Sequence, residues 1–392
     1  MKPLVVFLSS AGVRQFKNFM IFTPLFSDPT ISGITCTSEI KVVSYKNGEK
    51  KEYTYPAGTT SVSVESDARS NVTIFGDITS FDNYIYSGTI FFETVKVRSK
   101  VLTVFSAFAD GGATSSAREF DFSGCALLST VRVSGAVSKL NITGCTSISV
   151  LAVKNPLVSM LDLSDCKTIT KLTLSYAGAL RKVVYGQETK VVEYVLNGTS
   201  ITEESLLLTS ALTAMQIDDC ALIGNVDLSK APNLTKISSS GSSVFNPIGI
   251  NELMSLTEIR IERNQAVVDV SPKSTNLTKL TLSDCLSLET IKTSAENMRL
   301  ELSSNMPALK SVDASSMSDV QAAYSISSTI NVPVFDTLKA RAVDSTNATR
   351  IAVLITNSGV SDGVVYLNSA DSYYSTVATA ATTKGWTIEP LA

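Results

Sequence analysis

The sequence predicts a mainly β protein with a few helices, wound as a solenoid of stacked coils. Three observations point there. Short apolar pairs of the form apolar-x-apolar recur as Phe120/Phe122, Leu140/Ile142, Leu161/Leu163, Met215/Ile217, Ile259/Ile261, Leu280/Leu282 and Leu300/Leu302. A period of two places both members of a pair on one face of a short strand. Each pair is followed by a small side chain, in order Cys125, Cys145, Cys166, Cys220, Asn264, Cys285 and Asn305. From Cys125 to Cys166, and again from Asn264 to Asn305, these positions step by 20 or 21 residues. A fixed period of that length marks repeats that bury their apolar faces against neighbouring repeats, because a single coil cannot bury its own.

The elements follow from local pattern. The opening run Leu4–Leu8 is apolar but shorter than the core of an export signal, and is expected to be a first strand. Phe19–Phe26 is a second apolar run, and Lys41–Tyr55 is a hairpin turning at Asn47-Gly48, a pair suited to the positive φ of a tight turn. Val62 and Val64 alternate after it. Val72/Ile74, closed by Gly76-Asp77, is expected to open the solenoid; Val95/Val97 and Leu102/Val104 give two further strands, and Phe108–Thr114 is expected to be a loop. The coils become regular from Glu119. The step from Cys166 to Cys220 is 54 residues, about two and a half coils. Either half a coil is gained or lost there, or the cysteine-bearing strand changes sheet, and a kink or protrusion is expected between 180 and 212. Thr202–Leu208 has the acidic first turn of a short helix, and Ser238–Pro247 is expected to be irregular. Further on, Pro333–Arg341 reads as a helix, Ile351–Ile355 as core strand or helix, Ser361–Leu367 as turn plus strand, and Asp371–Lys384 as a helix stopped by Gly385. Trp386-Thr387-Ile388 is a final strand.

The pairs, their Cys or Asn, and the closing Gly385-Trp386-Thr387-Ile388 resemble the roughly 21-residue leucine-rich repeats of gut Bacteroidota and the phages that infect them. The resemblance covers about residues 69–315 and extends into the C-terminus. It implies a right-handed leucine-rich-repeat-like solenoid in which Cys or Asn turns inward. The second copies on the convex side would be Val131/Val133, Leu151/Val153, Leu172/Leu174 and Val226/Leu228. The expected organisation is an N-terminal β-domain at 1–68, a candidate for docking; a solenoid at 69–315; and an α/β capping module at 316–392, with Trp386 plugging the open end.

The chain has 392 residues, a net charge of −3 and no histidine. His-dependent triads and His-bearing zinc sites are therefore excluded, and the charge does not favour a nucleic-acid partner. No apolar run is long enough for a membrane span, no phosphate-binding glycine motif is present, and no cofactor or metal ligand set is expected. For catalysis only paired carboxylates remain, at Asp162/Asp165, Asp218/Asp219 and Glu258/Glu262. Asp165, Asp219 and Asp284 each precede a ladder cysteine, where Gly124 and Gly144 stand in earlier coils, so they read as turn residues. The cysteines are expected to be buried and unbridged, since parallel side chains in a stack bridge poorly. The expected function is a non-enzymatic structural or host-binding part of a phage virion. Its partners would be other virion proteins, further copies of itself and a host-surface glycan or protein. A bacterial cell-surface adhesion protein is the alternative, and a tailspike-like glycan depolymerase the third.

Overall fold

The computed structural model describes residues 18–85, 89–90, 92–109, 114–115, 117–303, 305–316, 319–320 and 337–391. The expectation for Leu4–Leu8 lies outside them. The fold is mainly β, a solenoid of stacked coils with two α-helices among the described residues. It divides into two compact units, one of residues 1–158 and 163–167, the other of residues 159–162 and 168–392.

In the first unit, Phe19–Pro24 lies between Val72–Phe75 and Phe92–Arg98, antiparallel to both. The hairpin Ile40–Lys46/Glu49–Tyr55 extends the same sheet, turning at Asn47 and Gly48 with φ of +51° and +80°. On the other side the sheet continues in parallel through Glu119–Asp121 and Lys139–Asn141. Residues before 69 thus share a sheet with the first coils. Val72 and Ile74 are fully buried, and Gly76 allows close approach: a Cβ there would meet the Ile40 side chain at 2.9 Å. Opposite runs a parallel sheet of Ile78–Ile85, Val104–Ala109, Thr130–Val137 and Val150–Pro156. Its second strand corrects two expectations: it begins at Val104, so Phe105 and Ala107 point inward, and it occupies the start of the stretch expected to be a loop.

Between these sheets the core is aromatic. Phe22 contacts Phe92 and Phe81 at ring-centroid distances of 4.8 and 5.2 Å, Phe81 stacks on Phe105 at 4.9 Å, and Phe105 reaches Phe122 at 4.7 Å. Each such pair adds about 0.5–1.5 kcal/mol beyond area burial, which ties the N-terminal strand to the coils.

In the second unit most coils have a longer and a shorter strand. The longer ones, Lys171–Ser175, Glu193–Asn197, Ala214–Asp218, Lys236–Ser240, Glu258–Glu262, Lys279–Ser283 and Asn297–Ser303, pair in parallel without a register shift. Inward rows run Leu172-Tyr194-Met215-Ile237-Ile259-Leu280-Leu300 and Leu174-Leu196-Ile217-Ser239-Ile261-Leu282-Leu302. Ser238–Pro247 is therefore a regular coil, contrary to expectation; Ser239 takes an apolar place with its hydroxyl unpaired. Pairing of the longer strands runs unbroken past residues 180–212, but the shorter series is interrupted between Lys182–Tyr185 and Asn225–Asp227, where the expected helix is a three-residue 3₁₀ turn, Glu203–Ser205, without a side-chain cap.

The shorter strands Asp269–Val270, Thr290–Lys292 and Ser311–Asp313 continue in parallel through Thr337–Ala340, Val364–Leu367 and Thr387–Pro390. Thr337–Ala340 is a strand where a helix was expected; Pro333–Asp336 lies outside the described residues. In these last coils, helices Ser345–Asn357 and Tyr374–Lys384 replace the longer strands. They pack together, and the first meets Asp319–Val320, the last strand of the longer series. Ala348, Ile351 and Ile355 line the buried helix face at helical spacing. An edge that would expose unpaired backbone is thereby covered. Gly385, at φ +88°, ends the second helix, and Trp386 is buried with its indole N–H on the Val360 carbonyl at 2.9 Å.

A bidentate clamp joins the coils of this cap. Arg341 donates from Nε and Nη2 to Asp371, which also accepts the Ala342 N–H at 2.8 Å. Burial pushes the Asp371 carboxyl up, but the guanidinium and the Ala342 N–H outweigh it and hold it below the ordinary carboxylate range. The folded-state pKa is thus below the unfolded one. The clamp contributes fully above about pH 4 and is lost as pH falls through the folded value. Asp371→Ala is expected to cost about 2–3 kcal/mol, less than a wholly buried pair because Arg341 is partly exposed. Urea melts at pH 7 and pH 3 check this: the gap between parent and variant should narrow at pH 3.

Candidate binding face

The turn after each longer strand organises the second unit. Tyr176, Gly198, Asp219, Gly241, Arg263 and Asp284 all have positive φ, between +50° and +74°. The first five donate their N–H to a carbonyl of the following coil, Asn197, Asp218, Ser240, Glu262 and Ser283, at 2.7–3.0 Å. The left-handed residue turns the backbone so that the next side chain enters the core. Ala177, Thr199, Cys220, Ser242, Asn264 and Cys285 are there, none more than 2 % exposed.

The expected ladder residues fall into two series. Cys125 and Cys145 follow the short strands Glu119–Asp121 and Lys139–Asn141, whereas Cys220, Asn264 and Cys285 follow longer strands. The 54-residue step is thus a change of strand type, and Leu172/Leu174 belong to the same series as Met215/Ile217. Cys125, Cys145 and Cys166 are buried and form no disulfide, with both neighbours close enough to repel a Cys145 thiolate. Burial pushes Cys145 and Cys285 up to about 12. Asn264 uses its whole amide: Nδ2 donates to the Ser242 and Phe245 carbonyls, and Oδ1 accepts from Ala266 and Val267. Asn305 departs from the expectation. It is itself the left-handed residue, at φ +71°, and is partly exposed; Met306 fills the interior, because this coil carries one residue more between Leu302 and the turn. The sequence reading missed Ala177, Thr199 and Ser242, which bear neither thiol nor amide. Their 21–22-residue spacing, and a Gly before two of them, was the available signal.

Outward from the longer strands lies a face of small polar residues and ion pairs. Lys171 meets Glu193 at 2.6 Å, Lys236 meets Glu258 at 3.6 Å, Arg260 meets Glu262 at 2.8 Å, and Glu301 is held by Lys279 and Arg299 at 3.2 and 2.7 Å. Comparison with protein-family models and with curated proteins found no match. The site is therefore described by its own chemistry. Of the carboxylate pairs, Asp218 accepts from the Ser240 N–H and from Gln216, while Asp219 reaches over Gly241 to Arg263 at 3.6 Å. A Cβ at Gly241 would lie 2.0 Å from the Asp219 oxygen. Glu258 and Glu262 flank Arg260 on the outward face, and Asp165 accepts the Gly144 N–H at 2.9 Å as a turn residue would. Among the described residues no cluster of His, Cys, Asp and Glu could hold a metal, and no helix is long and apolar enough to cross a membrane. A shallow hollow of ≈ 190 Å³ lies above Ala214 and Ser238, rimmed by Glu193, Gln216, Lys236 and Glu258.

Asn264→Ala takes the amide partner from the Ala266 and Val267 N–H groups and from the Phe245 carbonyl, while the Ser242 carbonyl keeps the Phe245 N–H at 3.1 Å; it is expected to destabilise by about 3 kcal/mol. Cys220→Ser, which copies the Ser242 rung, should cost no more than about 1–2 kcal/mol; chemical denaturation of both variants checks the contrast. A second expectation concerns thiol reactivity. All six cysteines are buried, so the native chain should react with a thiol reagent at neutral pH only as it unfolds, measured by absorbance with and without denaturant.

Proposed function

We propose that the chain is a non-enzymatic binding scaffold of the leucine-rich-repeat type, and that it works as a structural or host-binding component of a phage virion. The observation that carries the non-enzymatic part is the outward face of the second unit. Most of its carboxylates are engaged by cations of their own or neighbouring coils, as in Lys171–Glu193, Arg260–Glu262 and Asp219–Arg263, and Asp218 is held by Gln216 and the Ser240 N–H. Glycoside cleavage needs a carboxylic acid held protonated opposite a free carboxylate; a cation beside a carboxylate favours the opposite state. A surface of this kind serves recognition, with stiffness supplied by the parallel ladders.

The coil period supports the repeat type, as does the Gly385-Trp386-Thr387-Ile388 ending, where glycine stops a helix and the tryptophan is buried. The virion setting rests on resemblance to repeats found in Bacteroidota phages, and is a fold-level analogy. In that setting the partners are other virion proteins and further copies of the chain, with a host-surface glycan or protein as target. Mass spectrometry of purified virions beside host envelopes tests it. The expected result is peptides of this chain in the virions; peptides in envelopes alone overturn the setting in favour of a cell-surface adhesion protein.

A further inference from the structure

The left-handed row contains one large exposed aromatic. Tyr176 is 59 % exposed, although it occupies a backbone conformation that L residues rarely adopt. Its neighbour in the next coil is Gly198, and a Cβ there would touch the Tyr176 Cδ1 at 3.7 Å. The flank of the ring is therefore bordered by bare backbone. The next side chain along the row, Asp219, leans away over Gly241 toward Arg263. Directly across from Ser175 stands Asn197, on the outward side of its strand; its amide makes no side-chain hydrogen bond among the described residues. One coil further, Asp218 is held by Gln216 and the Ser240 N–H rather than by a cation.

We propose that this spot is a binding subsite for a neutral sugar ring. An aromatic face stacks on the C–H side of a pyranose, and the planar Asn197 amide and Asp218 carboxylate beside it can pair with adjacent hydroxyls, the amide both donating and accepting. Strand spacing of about 4.8 Å sets Asn197 and Asp218 one and two steps from Tyr176, within the span of one sugar residue and its linkage. The charge pattern selects the ligand class. The neighbouring charges Lys171, Glu193, Asp219 and Arg263 are paired among themselves, and the remaining Asp218 disfavours an anion. The inference deepens the binding-scaffold reading and rests on it for its biological use.

The test uses the full chain with neutral trisaccharides of glucose, mannose, galactose and N-acetylglucosamine, followed by saturation-transfer NMR and titration. At least one should receive saturation at its ring protons. Tyr176→Ala and Asn197→Ala should each weaken it about tenfold or more, Tyr176→Phe should keep it, and thermal melting of the asparagine variant should be unchanged because the Asn197 side chain makes no hydrogen bond among the described residues. Binding by none of the sugars, binding only to sulfated or sialylated ones, or equal binding by Tyr176→Ala overturns the subsite. Shortening of a bound sugar would instead sink the non-enzymatic reading while leaving the subsite standing, and absence from virions would sink only the setting.

Discussion

The second unit depends on one backbone constraint. At the end of the longer strands a single residue takes the left-handed conformation and turns the next side chain into the core, and from Tyr176 to Arg263 it also sends its N–H to the following coil. For a residue other than glycine that conformation costs on the order of 1 kcal/mol, and here it is accepted at Tyr176, Asp219, Arg263 and Asp284. The compensation is twofold: the inter-coil hydrogen bonds, and the burial of one side chain per coil. Because the turn repeats, each strand meets the next without a register shift, and the outward rows fall into line as a consequence. The paired charges and the exposed Tyr176 ring are therefore positioned by the same device that builds the core.

The ladder position tolerates chemistry more widely than its cysteines suggest. Alanine, threonine, cysteine, serine and asparagine all stand there fully buried. Each polar one finds a partner: Thr199 on the Cys220 Sγ, Ser242 on the Ile217 carbonyl, Cys285 on the Ile261 carbonyl, and Asn264 on four groups at once. Size and the ability to satisfy a turn decide the residue; thiol chemistry does not enter.

How much of this was legible in the sequence varies along the chain. The apolar pairs and the hairpin at Asn47-Gly48 were readable because strand alternation and turn geometry are local properties. The change of strand type between Cys166 and Cys220 was not, since both strand types of a coil carry the same alternation and only pairing distinguishes them. The Ser239 coil was misread as irregular because register imposed by neighbours overrides local composition. Thr337–Ala340 was misread as a helix for the same reason: a strand on each side holds it extended. The aromatic core of the first unit did leave a trace, for thirteen of the fifteen phenylalanines precede residue 123. Of the candidate subsite, Tyr176 and Gly198 gave no signal, because their importance lies in sharing a row that only the coil register defines.

The central claim is that one coil is a complete exchangeable period, from one left-handed residue to the next. The most direct measurement is thermal melting, by circular dichroism, of two deletions. Removing residues 220–241 joins Asp219 to Ser242, so a left-handed residue still precedes a buried one. Removing residues 220–230 takes out half a coil and sets longer strands against shorter ones. The account predicts a cooperative, near-parental melt for the first and a lost or broad transition for the second. Equal tolerance of both, or unfolding of the full-coil deletion alone, would contradict it.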